Sequence, residues 1–278
     1  MRFSPSHLLF QILAILIYQE QSLNYYDILS CLNKPSHRQP TIASPGWCCH
    51  RPLPSDPTTA VSTINEYADR VFIPYLEKQL LESRRLDVVW DTYIPDSLKE
   101  STRFKRGKGV GRKVSGQTKL PGNWMDFLRD STNKKELFTF LTTKDDEFNC
   151  SEAKAVYVTS GQSVLSIGSG IPMPSCNHKE ADTRVVVHVL HALEQDQKTV
   201  LVRTMDTDVV AILVGTFYDL AVVQSLLDIW VAFGTGKNYR FYSINGICAS
   251  LGEPRSRALP VFYAFSGCDT TSAFSGKG

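Results

Sequence analysis

Six carboxylates stand where an α/β chain commonly gathers its chemistry: Asp91, Glu180, Asp182, Asp206, Asp208 and Asp269. Asp91 follows the short apolar run Asp87-Val88-Val89-Trp90, and Asp206 and Asp208 follow TVLVR at Thr199 to Arg203. Glu180 and Asp182 open a helical stretch after a Pro-containing extended segment, and Asp269 lies in Ser266-Gly267-Cys268-Asp269, beyond a helix that ends near Phe265. One aspartate after a strand reads as a helix cap. A set of them is different, because clustered carboxylates repel and raise one another's pKa unless a cation neutralises them. Oxygen-only ligands suit Mg²⁺ or Mn²⁺. Two such ions about 4 Å apart activate a water and stabilise the leaving oxygen of a phosphodiester. The expectation is that the six acids gather within ~10 Å of one point.

The charge balance adds a local signal and no global one. There are 30 Lys+Arg against 28 Asp+Glu, a net charge of +2, so no overall basic field argues for nucleic acid. Arg103, Lys105, Arg106, Lys108, Arg112, Lys113 and Lys119 crowd one stretch, which suits either phosphate contact or a solvated loop. Lys99 and Arg103 are four residues apart and share a helix face.

Other candidates are weaker. Ser160-Gly161-Gln162-Ser163 lacks the spacing of a nucleophile elbow. Gly107 to Gly111 lacks the Gly-Lys-Ser/Thr ending of a phosphate loop. His188 and His191 follow Arg184 at i+4 and i+7 and, without a partner motif, read as helix-surface residues. The seven cysteines are odd in number and show neither a disulfide framework nor a zinc ribbon; Cys176 and His178 are close, but no second ligand pair accompanies them. We read the cysteines as reduced and the protein as intracellular, nuclear or cytoplasmic, with no membrane partner. One run disagrees: Leu8 to Tyr18 (LLFQILAILIY) is like a signal-peptide core, which keeps secretion as an alternative. It is too short for a comfortable span, is interrupted by Gln11, lacks a clean cleavage site and equally suits a buried helix.

The elements that must position these groups begin near Ser62. Six prolines between Pro35 and Pro57 mark a linker, so residues 1–61 read as a poorly structured appendage and 62–278 as the functional domain. Helical spacing covers Ile64 to Ser83, followed by a β-type run from Leu86 to Trp90 and a charged helical stretch from Pro95 to Arg106. Trp124 to Leu128 and Lys134 to Leu141 read as helical. The second half alternates: strand at Ala155 to Thr159, helix at Glu180 to Glu194, strand at Thr199 to Arg203, and an apolar run at Val209 to Val214. Strand candidates follow at Ile229 to Phe233 and Tyr239 to Tyr242, then helices at Ile244 to Leu251 and Ala258 to Phe265. Such alternation predicts an α/β fold with a mainly parallel central sheet flanked by helices, and sites beyond the carboxyl ends of the strands.

Four strings then carry a resemblance. VVWDTYIPDSLKESTRFKR looks like the flap-endonuclease pattern of a strand ending in an acid, then a proline, a Leu-Lys pair and a basic helix. EADTR at Glu180 to Arg184 is similar to that family's paired-acid motif, and TMDTDVVAIL at Thr204 to Leu213 to its Asp-x-Asp motif. FYSINGICASLG and ALPVFYAFSGCDTTSAFSGKG resemble the approach to its helix–hairpin–helix element. In order, these strings resemble the PIN and flap-endonuclease superfamily over about residues 62 to 278. DVVWD, EADTR, DTDVV and SGCDTT are also similar to strings in animal proteins associated with mobile elements.

The resemblance implies a PIN-like fold and makes Asp91, Glu180, Asp182, Asp206, Asp208 and Asp269 metal ligands for Mg²⁺ or Mn²⁺. It places Lys99 and Arg103 at the scissile phosphate. Arg106, Lys108, Arg112, Lys113 and Lys277 become nucleic-acid contacts, with branched or flapped DNA preferred to RNA. Two parts of the family's pattern are not found. Its first strand, ending in another Asp, has only Asp27 as a candidate, and the chain stops at Gly276-Lys277-Gly278 inside the expected DNA-gripping turn. The reading is therefore a metal-dependent phosphodiesterase of the structure-specific DNA nuclease type, or its inactive descendant. The alternative is a non-catalytic nucleic-acid-binding or scaffold module that keeps the nuclease fold.

Overall fold

The computed structural model describes residues 61–90, 111, 113–122, 127–128, 130–144, 154–178, 181–234 and 239–267, together with the backbone of 13–18.

Strand β1 is Leu13–Tyr18. Helix α1 runs through Ile64–Tyr67, a π-helical turn at Ala68–Phe72 and Ile73–Glu82, and leads into β2, Ser83–Val89. There follow α2 (Ser131–Thr142), β3 (Ala155–Ser160), β4 (Ser163–Gly168), α3 (Ala181–Leu193) and β5 (Thr199–Thr204). The chain continues with α4 (Thr207–Val223), β6 (Asp228–Phe233), β7 (Arg240–Ser243), α5 (Ile244–Leu251) and α6 (Glu253–Gly267). Short polar side chains start several helices by accepting otherwise unpaired first-turn N–H groups. Thr63 takes the Glu66 N–H at 3.2 Å, Asp130 those of Thr132 and Asn133 at 2.9 and 3.1 Å, and Ser243 that of Gly246 at 3.0 Å. Glu66 reaches back to accept the Ser62 N–H at 2.6 Å, a variant of the reciprocal capping box.

Among the described residues seven strands form one sheet in the order β4-β3-β2-β1-β5-β6-β7. It is a mixed sheet, which corrects the expectation of a mainly parallel one. Neighbours β2–β3 and β5–β6 pair in parallel, and the other four pairings are antiparallel. The reasons are local. Ser160 pairs with Ser163 across Gly161-Gln162, and Gly161 takes φ +59°, so β4 folds straight back on β3 in a two-residue hairpin. The link from β6 to β7 is likewise too short for the crossover helix that a parallel neighbour requires.

The largest departure is β1. Leu13–Tyr18 lies between β2 and β5, antiparallel to both, with Ile15 opposite Asp87 on one side and Val202 on the other. That stretch is neither a helix nor part of a separate appendage; it joins two three-stranded halves. Because β1 opposes both neighbours, β2, β3, β5 and β6 all run in one direction. Their carboxyl ends therefore share one edge of the sheet.

Helices cover both faces. Period-two alternation sends Leu86, Val88, Val156, Val158, Leu201, Trp230 and Ala232 to the face packed by α1 and α2. Val89, Val200, Val202, Ile229 and Val231 go to the face packed by α3, α4 and α5. On the first face Trp90 stacks on Phe138 at 4.3 Å and approaches Phe72 at 6.1 Å, and its backbone N–H donates to Thr159 Oγ1 at 2.7 Å. The end of β2 is thereby held firmly just before Asp91.

Candidate metal centre

At the shared carboxyl edge, β5 ends at Thr204 and the chain turns through Met205 and Asp206 into α4. The Asp206 N–H donates to Thr204 Oγ1 at 3.0 Å, and Asp206 Oδ1 accepts the Asp208 N–H at 2.9 Å. Asp206 is thus the N-cap of α4, and Asp208 lies in its first turn. Asp182 lies in the first turn of α3. One carboxylate oxygen from each of Asp182, Asp206 and Asp208 falls within 4.8 Å of the others. Asp206 is exposed, and Asp182 and Asp208 are half-buried.

Three carboxylates that close repel one another unless positive charge offsets them. Asp182 and Asp208 lie in the first turns of their helices and Asp206 caps one of them, positions where the helix N-terminus favours negative charge and supplies part of that offset. A divalent cation would supply the rest, and an oxygen-only donor set fits a hard cation. The three acids could hold a metal ion.

A fourth group was not singled out by any sequence rule. Tyr263, on α6, places its hydroxyl 2.5 Å from Thr207 Oγ1, and it also hydrogen-bonds the Asp208 carboxylate. The Thr207 bond pulls the phenol's pKa down, but burial and the charges of Asp208 and Asp206 outweigh it, and the net shift is upward. Tyr263 reaches this place because α6 packs closely on α4. Gly215 leaves room for the ring of Pro260, with which any Cβ at that position would collide. The only sequence signal was membership in the ALPVFYAF string, and nothing in the string distinguishes this tyrosine from a core aromatic.

Helix α3, which carries Asp182, is held by polar contacts beneath the site. Arg184 is buried, and its Nη1 donates to the Gly161 carbonyl at 2.6 Å, tying the helix start to the β3–β4 turn. Burial lowers the Arg184 pKa, and the adjacent Cys176 sulfur opposes the shift. His188 and His191 are 1% and 8% exposed, so they are not helix-surface residues as the sequence suggested. The helix turns both toward the sheet, His188 to Asp87 and His191 to the Tyr157 ring. His188 Nδ1 meets Asp87 Oδ1 at 2.8 Å, and Asp87 accepts two further bonds of 2.8 Å from Arg85 Nε and Nη2. Burial works to raise the Asp87 pKa, but Arg85 and His188 hold it below its ordinary value. The Arg85 guanidinium lies over the Tyr157 ring at 4.0 Å, and Tyr157 meets His191 edge-on at 5.4 Å.

Of the expected ligands, Asp182, Asp206 and Asp208 come together as the sequence predicts. Asp91, Glu180 and Asp269 lie outside the described residues, as do Asp27, Lys99, Arg103, Arg106, Lys108, Arg112 and Lys277. Lys113 is exposed, at the start of a turn whose Gly116 and Thr118 carbonyls accept the Asn65 and Ile64 N–H groups at 2.9 Å each. Among the described residues no helix is long and apolar enough to cross a membrane. A scan of protein-family models and searches of curated proteins and of solved structures give no match for this chain.

Proposed function

We propose that this chain is a metal-dependent phosphodiesterase of the structure-specific DNA nuclease type, or a descendant that keeps the site without turnover. The observation that carries the reading is the meeting of Asp182, Asp206 and Asp208 at the edge where four strands end. Mg²⁺ or Mn²⁺ is the cofactor suited to this donor set. When bound, such an ion polarises a phosphoryl oxygen and lowers the pKa of its water. The chain's own residues have separate tasks. The three aspartates hold the cation, and Asp206 also caps α4, which ties the loop's shape to the helix. Tyr263 restrains Asp208 from the α6 side. The basic stretch containing Lys99, Arg103, Arg106, Lys108, Arg112 and Lys113, with Lys277, would supply phosphate contacts. A DNA substrate would place the protein in the nucleus or cytoplasm.

A second reading, a scaffold that has kept the fold, is favoured by one observation. Asp206 already serves as a helix cap, and two helix N-termini stabilise the acids without an ion.

Calorimetry with MnCl₂ on the full chain separates the readings. The metal reading expects saturable binding that Asp182→Ala weakens by at least about tenfold, since one of three anionic ligands is lost. A flap-DNA cleavage assay in MgCl₂ then reports turnover, and any genuine cleavage must vanish in Asp206→Ala. A folded protein that binds no Mn²⁺ overturns the metal reading and leaves the scaffold.

A further inference from the structure

We propose that Arg85, Asp87 and His188 form a buried positioning network that sets the register of α3 on the sheet and so places Asp182 beside Asp206 and Asp208. The inference rests on the metal-site reading for its functional meaning, although the placement itself can be measured without metal.

The geometry is specific. Arg85 and Asp87 are two residues apart on β2 and project from the same face, toward α3. Arg85 grips Asp87 through two parallel bonds of 2.8 Å, the planar pairing that fixes both groups. Two contacts cross to α3: Arg85 Nη2 donates to the His188 carbonyl at 3.5 Å, and His188 Nδ1 lies 2.8 Å from Asp87 Oδ1, the shorter of the two. A carboxylate only accepts, so Nδ1 is the donor in this bond. Arg85, Asp87 and His188 are 3%, 0% and 1% exposed.

A network buried so deeply is a poor source of net stability, because desolvation offsets much of its attraction and apolar residues of similar volume would hold α3 as well. What it supplies is a single allowed register. Val185, Val189 and Leu193 would tolerate a small slide or rotation of α3 on the sheet, since apolar contacts are not directional. The His188–Asp87 bond tolerates neither.

Asp182 lies six residues before His188, about 9 Å up the same helix at 1.5 Å per residue. A shift of one residue turns a helix by about 100°. Such a shift would swing Asp182 away from acids that now stand within 4.8 Å. A second pin, Arg184 Nη1 to the Gly161 carbonyl, ties the first turn of α3 to the β3–β4 hairpin. The His188 side chain bonds β2 itself, through Asp87, and so bears directly on the register against that strand.

The test compares His188→Leu with His188→Asn, whose amide Nδ2 replaces the Nδ1 donor. Leu137→Ala, a cavity variant on the opposite face, controls for general loss of stability. The first readout is Mn²⁺ affinity by calorimetry. His188→Leu should weaken it by about tenfold, and His188→Asn should restore most of that loss, as for outer-shell partners of metal ligands. The second readout needs no metal. In an Asp182→Cys/Asp206→Cys background, dibromobimane should bridge the two thiols, identified by the mass of the bridged peptide. The bridge should form several-fold more slowly with His188→Leu added, and at near the starting rate with His188→Asn. Unchanged bridging in folded His188→Leu overturns the positioning role. Bridging that depends on His188 in a protein that binds no Mn²⁺ keeps the network and removes the metal reading instead. If Leu137→Ala slows bridging as much as His188→Leu, the effect is ordinary destabilisation and the proposal fails.

Discussion

The Tyr263 hydroxyl lies 2.5 Å from Thr207 Oγ1, linking the middle of α6 to the first residue of α4. Because Tyr263 also bonds Asp208, a short chain of hydroxyls ends on one of the three clustered carboxylates. Groups hydrogen-bonded to metal ligands fix ligand orientation. Tyr263→Phe should therefore weaken Mn²⁺ binding by about tenfold. It should change folding stability by no more than about 1.5 kcal/mol, the range for one hydrogen bond. Calorimetry and urea unfolding on the same preparation check both, and an unaltered affinity would show the hydroxyl to be idle.

The close approach of α6 to α4 makes a second prediction. A methyl group at Gly215 would strike the rigid Pro260 ring, which cannot rotate away. Gly215→Ala should destabilise the protein by about 1–3 kcal/mol despite alanine's better helix propensity. Gly246 offers the contrast, since a Cβ there meets only Ser243 side-chain atoms at 3.4 and 3.6 Å. Equal urea midpoints for Gly215→Ala and the wild type would contradict the close packing.

Asp87 predicts an acid limb. Its folded pKa is depressed, so its contribution to stability is complete above the unfolded value of about 3.9 and is lost as pH falls through the folded value. Stability should decline from about pH 4 downward. Asp87→Asn should be weaker at neutral pH by about 3–5 kcal/mol, because Arg85 loses its buried counter-charge, and its decline in acid should be shallower. Urea midpoints measured between pH 3 and 7 decide this; parallel curves for the two proteins would mean that another group governs the acid limb.

The central place of β1 predicts a strong effect of shortening the chain. A protein beginning at Val61 would lose the strand that pairs with both β2 and β5 and would leave two new sheet edges. Its unfolding should be less cooperative, with a smaller denaturant slope than the full chain. If the shortened chain unfolds with the same slope and midpoint, β1 adds nothing to the fold.

Much of the domain is legible in its sequence because local chemistry is enough. The spacing of Tyr67, Phe72, Leu76 and Leu80 marks α1, and the apolar run at Val200 to Val202 marks β5. Acids that follow a strand or open a helix are recognisable by position, which is why Asp182, Asp206 and Asp208 stand out in the sequence itself. The remainder depends on contacts between distant segments. LAILIY suits a leader, a buried helix or a strand equally well, and only free hydrogen-bonding edges on β2 and β5 make it β1. His188 looks like a surface residue until Asp87, 101 positions away, meets it inside the protein. Tyr263 gains a role only because Gly215 lets α6 come close enough for its hydroxyl to reach Thr207. Hydrophobic period and capping residues act over a few positions, so one segment contains them. Strand partnership, the pairing of buried charges and the approach of one helix to another are relations between segments, and they come into existence only when the chain has closed upon itself.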